Sequence, residues 1–156
     1  MARTEYLNDP AAPPPTTIMV TATAFVAEPG GRLLLIQRSD TGRWVLPGGA
    51  LELGERITDT AVRETREETG VDILITGLIG VYSNPHHLLA YSNGEVRQQF
   101  SLCFRAHPLG GDPSPSVASL DVRWIEPRAL SDLRIHPEML LRIGHGLSNR
   151  AVPYLG

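Results

Sequence analysis

The sequence predicts a single layered α/β domain with a mixed β-sheet. Three observations support this prediction: apolar and β-branched segments alternate with segments of helical periodicity, the length of 156 residues suits one domain, and no segment repeats. Hydrophobic residues form 42% of the chain and charged residues 20%, a composition typical of a globular protein. We divide the chain into an N-terminal arm at 1–16, one domain at 17–150 and a C-terminal tail at 151–156.

Six segments have the composition of β-strands. They are residues 18–26, 32–37, 43–46, 71–82, 95–106 and 122–125. The turn at 28–31 separates the first two, and Gly77 and Gly80 are expected to bend the fourth. The segment 83–94, with the turn signal Ser92-Asn93-Gly94, and the proline- and glycine-rich segment 108–119 are predicted to be loops.

Three segments are predicted to be helices, at 58–69, 127–133 and 137–147. The first is preceded by a break at Pro47-Gly48-Gly49 and a loop that runs to about Ile57. Gly70 stands where a glycine commonly ends a helix. Both later segments begin with proline, which is favoured in the first turn.

The N-terminal arm contains a proline- and alanine-rich segment at 9–15, which we expect to be extended. It is either a flexible leader or an arm that packs on a second subunit, so a homodimer stays open. The chain shows neither a signal-peptide pattern nor an apolar run of about 20 residues. We therefore expect no membrane partner.

Net charge and cysteine content bear on nucleic-acid binding, disulfide bonds and cellular compartment. A net charge of −3 gives no indication of binding to nucleic acid. The only cysteine, Cys103, excludes an intramolecular disulfide and suits a reducing cytoplasm. It lies in an apolar run, where a buried thiol is expected.

Three glutamates share one face of the helix predicted at 58–69. Glu64, Glu67 and Glu68 are three and four residues apart, so their like charges repel, and the helix C-terminus adds to the repulsion. They form either a solvated acidic face, softened by Arg63 and Arg66, or a site for a hard cation such as Mg²⁺ or Mn²⁺. The opposite face of the helix carries small side chains and is expected to pack on the core.

The surrounding sequence favours the cation site. Gly49-x5-Glu55-x7-Arg63-Glu64-Thr65-x-Glu67-Glu68-x-Gly70-Val71 resembles the Nudix box, the signature of the Nudix hydrolase superfamily. Every charged and glycine position of that signature is present. Thr65 replaces a bulky aliphatic residue, so looser packing is expected there. The resemblance implies an α/β/α sandwich and covers 23 of the 156 residues.

The resemblance also implies a chemistry. Nudix enzymes cleave nucleoside diphosphates linked to another group, with divalent cations bound to the box. It implies that Glu64, Glu67 and Glu68 are metal ligands, that one of them also serves as a candidate base, and that the backbone of Gly48 or Gly49 joins them. Arg63 would orient the glutamates, and Glu55 would tie the loop to the helix.

Many family members supply one more carboxylate from the loop before a late strand that carries a tryptophan. Here that loop, 113–121, contains no glutamate, and Ala118 stands about where one is expected. Either Asp112 or Asp121 substitutes, or a helix glutamate is the base, or the enzyme is slow.

The substrate is a small nucleotide by the same resemblance. Pro85, 15 residues beyond Gly70, resembles the branch that acts on ADP-ribose and sugar nucleotides. Candidate substrate-binding residues lie in the loop and on neighbouring strands: Arg38, Pro85, His87, Tyr91, Arg97 and Gln99. We do not expect the pair His86-His87 to bind metal, since carboxylates already supply hard ligands. The alternatives are a nucleoside triphosphate pyrophosphohydrolase and a sensor without turnover.

Overall fold

The computed structural model describes residues 2–156, whose elements are numbered here in chain order. One sheet contains seven strands: β1 (Arg3–Leu7), β2 (Thr17–Val26), β5 (Gly48–Ala50), β6 (Asp72–Tyr82), β7 (His87–Tyr91), β8 (Val96–Gly110) and β10 (Tyr154–Leu155). A second sheet contains three strands: β3 (Leu33–Arg38), β4 (Trp44–Val45) and β9 (Ser119–Ile125). The helices are α1 (Ile57–Thr69), a 3₁₀-helix (Pro127–Asp132) and α2 (Pro137–Ser148).

The larger sheet is built around the long strand β8. On one side β8 pairs in parallel with β2, and on the other it pairs antiparallel with β7 and then β6 along its length. Strand β5 extends the sheet beyond β2, and β1 extends it beyond β7. Parallel and antiparallel pairs therefore occur in one sheet, and the predicted mixed sheet is confirmed.

Strand β3 shows how the layers are arranged. Leu33 belongs to a buried cluster that includes Ile143 of α2, whereas the next residue, Leu34, belongs to a cluster packed against Val62 of α1. Because successive side chains of a strand point to opposite faces, the two helices cover opposite sides of the sheets. The predicted α/β/α sandwich is confirmed.

Helix α1 begins at Ile57, one residue before the predicted start, and ends at Thr69 as predicted. The Asp59 side chain accepts a hydrogen bond from the backbone N–H of Arg56 at the start, and Gly70 adopts a φ of 77° at the end. Thr65 is fully buried, and its hydroxyl donates to the carbonyl of Ala61 at 2.7 Å. The helix thus buries this polar group with a hydrogen-bond partner.

The predicted loop at 83–94 is partly wrong, because residues His87–Tyr91 form strand β7. The segment pairs with β8 on one side and with β1 on the other, and this long-range pairing outweighs the local turn signals. Strands also extend further than predicted: β8 runs to Gly110 and β9 starts at Ser119. The predicted helix at 127–133 is a 3₁₀-helix.

Three further strands form where the sequence predicted a break, an arm and a tail. Gly48–Ala50 pairs with β2, Arg3–Leu7 pairs with β7, and Tyr154–Leu155 pairs in parallel with β6. Residues 3–7 of the predicted arm therefore pair with the sheet of the same chain. The side chain of Tyr154 also stacks on Tyr82, with ring centroids 5.2 Å apart.

Two glycines of α2 offer a matched test of the packing between helix and sheet. A Cβ at Gly146 would lie 2.5 Å from the ring of Phe25, whereas a Cβ at Gly144 would meet nothing within 4 Å. We expect Gly146→Ala to lower the free energy of unfolding by about 1–3 kcal/mol through overpacking. Gly144→Ala should raise it by about 0.5–1 kcal/mol, because alanine favours the helix. Urea denaturation measures both, and equal effects would contradict the packing described here.

Candidate active site

Arg63 of α1 is the centre of a network of carboxylates. Its Nε donates to Glu55 Oε2 at 2.7 Å, and its Nη1 donates to Glu64 Oε1 at 2.9 Å and to Glu67 Oε2 at 3.2 Å. Nη2 donates to the backbone carbonyl of Ala50 at 3.1 Å. One guanidinium thus offsets the repulsion among several of the acidic side chains and fixes them against the strand β5.

Glu55 connects the preceding loop to α1. Its Oε1 accepts hydrogen bonds from the backbone N–H of Glu52 and from the hydroxyl of Thr60, each at 3.0 Å. The guanidinium of Arg63 is the main reason why the pKa of Glu55 falls to about 2. Glu55 is therefore ionised across the physiological range, as a fixed partner of Arg63. Glu52 points outward, with 67% of its side chain exposed.

Glu68 lies apart from the Arg63 network. Its Oε1 accepts a hydrogen bond from the backbone N–H of Gly48 at 2.8 Å. Burial raises its pKa to about 7, more than that hydrogen bond lowers it. Burial also raises the pKa of Glu64. Two of the three glutamates are thus held partly out of water, which does not fit a purely solvated acidic face.

The two glycines of β5 allow the strand to approach these carboxylates. A Cβ at Gly49 would lie 2.4 Å from the carboxyl carbon of Glu64, and a Cβ at Gly48 would lie 2.3 Å from the backbone oxygen of Ala22. Any side chain at either position would clash. The backbone of β5 can lie directly against the helix carboxylates only because both residues are glycine.

The donor set fits a hard divalent cation. Glu64, Glu67 and Glu68 offer carboxylate oxygens beside the backbone of β5, whose Gly48 N–H donates to Glu68 and whose Ala50 carbonyl accepts from Arg63. Mg²⁺ and Mn²⁺ bind oxygen ligands of this kind, and a cation here would turn the repulsion among the glutamates into attraction.

A cavity of about 140 Å³ opens beside Glu68. Apolar side chains from three elements form part of its wall: Met19, Leu89 and Met139. Its polar lining includes Arg38 and Gln99, two of the residues predicted to bind substrate. The remaining polar and charged lining comes from Arg3, Glu5, Thr21, Thr23, Thr41, Arg43 and His136.

A family model for the NUDIX domain matches residues 17–142. The chain belongs to the Nudix family. It is accordingly a Nudix hydrolase, an enzyme that acts on phosphoanhydride bonds. The matched range includes the whole box, whose Arg63 and Glu64 the structure places against β5.

Relatives within the Nudix family share most of the chain. A MutT-like protein of Streptomyces ambofaciens is 37% identical over 81% of this chain and 77% of its own length. The ADP-ribose pyrophosphatase of Methanocaldococcus jannaschii is 41% identical over 75% of this chain and 68% of its own length. A crystal structure of a Nudix hydrolase from Nitrosomonas europaea superposes with a TM-score of 0.74, at 26% identity, covering 90% of this chain and 78% of the other.

Four of the predicted substrate-binding residues do not line the cavity beside Glu68. Pro85 is exposed in the turn before β7. Arg97 pairs with Glu95 and lies over the ring of Tyr91, 4.3 Å from its centroid. His87 is buried behind the cavity wall, where its Nε2 lies 2.7 Å from Glu5 Oε1. A role for these four in binding stays a prediction.

Neither Asp112 nor Asp121, the two acids near the loop before β9, lines the cavity beside Glu68. Asp121 accepts hydrogen bonds from the backbone N–H of Val122 and from the side chain of Arg123. Asp112 is exposed and lies beside Gly70 at the far end of α1. Ala118 uses its carbonyl to accept hydrogen bonds from Ser39. This placement favours a helix glutamate over either aspartate as the base.

Most residues that line the cavity were not among the predicted site residues, and two of them carry ionisable groups of special interest. Glu5 comes from β1, within the segment treated as an arm, and His136 caps the N-terminus of α2, where its Nδ1 accepts from the backbone N–H of Glu138 at 3.2 Å. The alternation of charged and uncharged residues in Arg3–Leu7 is a weak strand signal that could have located Glu5. Nothing local in the sequence connects either residue to the Nudix box.

The raised pKa of Glu68 predicts how stability depends on pH without metal. The folded state holds this proton more tightly than the unfolded state, so the stabilisation is present below pH 4.5 and is lost as the pH rises through about 7. Relative to Glu68→Gln, we expect wild-type stability to fall by roughly 3 kcal/mol over that window. Urea denaturation with a chelator present tests this, and parallel pH profiles for the two proteins would contradict it.

Proposed function

We propose that this Nudix hydrolase is magnesium-dependent and cleaves the pyrophosphate of a nucleoside diphosphate linked to another group, with an ADP-ribose-like compound as the favoured substrate. The observation that carries the proposal is the position of the acidic helix face. Glu68 borders both the backbone of β5 and a cavity whose wall combines apolar side chains with arginines. A reacting phosphate and its nucleoside can therefore occupy adjoining places.

The metal would be held by Glu64, Glu67, Glu68 and the backbone carbonyl of Gly48 or Gly49. Mg²⁺ is the proposed cofactor, and Mn²⁺ suits the same oxygen ligands. Bound there, a divalent cation neutralises phosphate charge and lowers the pKa of a water nucleophile. The acidic chain needs this local positive charge to accept a pyrophosphate.

Arg63 and Glu55 would keep Glu64 and Glu67 in place during the reaction. The guanidinium of Arg63 bonds to Glu55 through two donors, Nε and Nη2, which fixes its plane. Its remaining donors hold Glu64 and Glu67. We assign both residues to positioning, because their polar atoms are used within this network.

Glu68 is the proposed general base among the helix glutamates. A general base must lie within reach of the water whose proton it takes, and Glu68 is the helix glutamate that lines the cavity. Its Oε1 is held by Gly48, so the carboxylate is oriented before substrate arrives. It would take the proton of the attacking water.

Arg38 is the proposed cationic contact for the substrate. Its guanidinium reaches the cavity wall from β3, and Asp40 holds it through two hydrogen bonds of 2.8 and 2.7 Å. Planar guanidinium groups bind phosphate oxygens well. The apolar wall formed by Met19, Leu89 and Met139 would accept the base, with Gln99 beside it. ADP-ribose is favoured because the Methanocaldococcus relative is named for that substrate.

The test is phosphate release with and without Mg²⁺, coupled to a phosphatase for ADP-ribose and other nucleoside diphosphate derivatives and to an inorganic pyrophosphatase for nucleoside triphosphates. We expect Mg²⁺-dependent turnover, fastest with a diphosphate derivative. Turnover confined to triphosphates would support the pyrophosphohydrolase alternative. Tight nucleotide binding without turnover on any compound would support the sensor alternative.

Partners other than the nucleotide stay predictions. The homodimer that the arm left open is one of them, and within this chain the start of the arm pairs with β7. Among residues 2–156, no helix is both long and apolar enough to cross a membrane.

A further inference from the structure

A second group of candidate metal ligands comes from elements other than the acidic helix. We propose that Glu5, His87 and His136 form a binding site for a transition-metal cation of the Zn²⁺ class. These residues come from three separate elements: β1, β7 and the N-cap of α2. The proposal does not depend on the reaction proposed above.

The ligand atoms already converge. Glu5 Oε1 lies 2.7 Å from His87 Nε2 and 3.6 Å from His136 Nε2, and one ligand atom from each residue lies within 4.8 Å of the other two. Ligands at about 2.0–2.1 Å from a tetrahedral Zn²⁺ are about 3.3 Å apart. Small side-chain shifts would therefore bring all three onto one ion.

The donor types distinguish this cluster from the Nudix helix. Imidazole nitrogens suit Zn²⁺, Co²⁺ and Ni²⁺, whereas Mg²⁺ prefers oxygen ligands alone. A set of two histidines and one glutamate is a known three-ligand set for zinc with an open fourth position. The two sites should therefore select different cations from the same solution.

The surroundings keep the ligands in place and leave one side open. The side chain of His87 is 8% exposed and that of His136 12% exposed, and their rings stack with centroids 5.7 Å apart. Glu5 and His136 both line the cavity, from which a fourth ligand could come.

Binding has a definite structural consequence. In the metal-free state His136 Nδ1 accepts from the backbone N–H of Glu138, which places the ring proton on Nε2. An ion at Nε2 requires that proton to move to Nδ1, so the cap bond is lost. Metal binding thus replaces one contact at the start of α2 by a direct link from that helix to β1 and β7.

The test uses Co²⁺ as a spectroscopic probe on the full chain. The protein is freed of metal with a chelator and titrated with Co²⁺ in excess Mg²⁺, which occupies the helix carboxylates. We expect one Co²⁺ per chain, with the visible absorption of a low-coordinate nitrogen site, displaced by Zn²⁺. His136→Asn should weaken binding by more than about 100-fold, since losing a ligand exceeds the loss of an outer partner.

His136→Asn is chosen because asparagine is a favoured N-cap, so α2 keeps its start. Glu67→Gln is the matched control, since it alters the Nudix site and should leave Co²⁺ binding unchanged. Zn²⁺ should also raise the melting temperature of the wild type and not that of His136→Asn. No binding by the wild type, equal binding by His136→Asn, or loss of binding in Glu67→Gln would each overturn the proposal.

Discussion

Glu68→Gln is expected to lower kcat/KM by about 10²–10⁴-fold, the range that a general base contributes. The substitution keeps the size of the side chain, and the amide oxygen can still accept from the N–H of Gly48. It removes the negative charge and the proton acceptor together. The loss should therefore appear in activity while the fold is retained. Steady-state hydrolysis of the best substrate at saturating Mg²⁺ measures it.

Glu52→Gln is the matched control for Glu68→Gln. Glu52 lies in the loop between β5 and α1, its side chain is 67% exposed, and its carboxylate is 3.7 Å from Arg63. We expect its activity to stay close to that of the wild type. If Glu68→Gln retains full activity, or if both variants lose activity equally, Glu68 has no special role in the reaction.

Gly49→Ala is expected to lower kcat/KM by about 10²-fold without unfolding the protein. The added Cβ would fall 2.4 Å from the carboxyl carbon of Glu64, so that carboxylate has to move away from β5. A displacement of about 1 Å at a reacting centre has an effect of this size. The apparent affinity for Mg²⁺ should fall as well, because the displaced Glu64 is one of the proposed metal ligands.

Gly77→Ala provides the control for a glycine substitution elsewhere in the sheet. A Cβ at Gly77 would meet nothing within 4 Å, so we expect normal activity and normal Mg²⁺ dependence. Activity and circular dichroism are measured on both variants. Wild-type turnover in Gly49→Ala would show that the close approach of β5 to Glu64 is not needed for catalysis.

The sequence was most informative where the relevant contacts are local. The spacing of Glu64, Glu67 and Glu68 within one helix predicts a shared face, and the structure places Arg63 beside two of them. Gly70 ends α1 in the left-handed conformation, as expected of a glycine at that position. These features follow from helix periodicity and backbone sterics, which depend on neighbouring residues only.

The sequence was least informative at three short strands of the larger sheet, at its edges and next to one of them. The segments that became β1, β7 and β10 were predicted as arm, loop and tail, because each is short and carries turn or proline signals nearby. Their strand conformation comes from pairing with segments distant in sequence, as between Arg3 and Tyr91. Such pairing is a tertiary effect that local propensity does not encode.

The sequence by itself therefore determined the family, the fold class and the acidic helix with its arginine, since all of these depend on short-range spacing. Only the tertiary structure decided that Gly49 lies against Glu64 and that a cavity opens beside Glu68. It also decided that Glu5 meets His87, 82 residues away along the chain. The physical reason is that strand pairing and helix packing bring distant residues together, and no periodicity in the sequence records which ones meet.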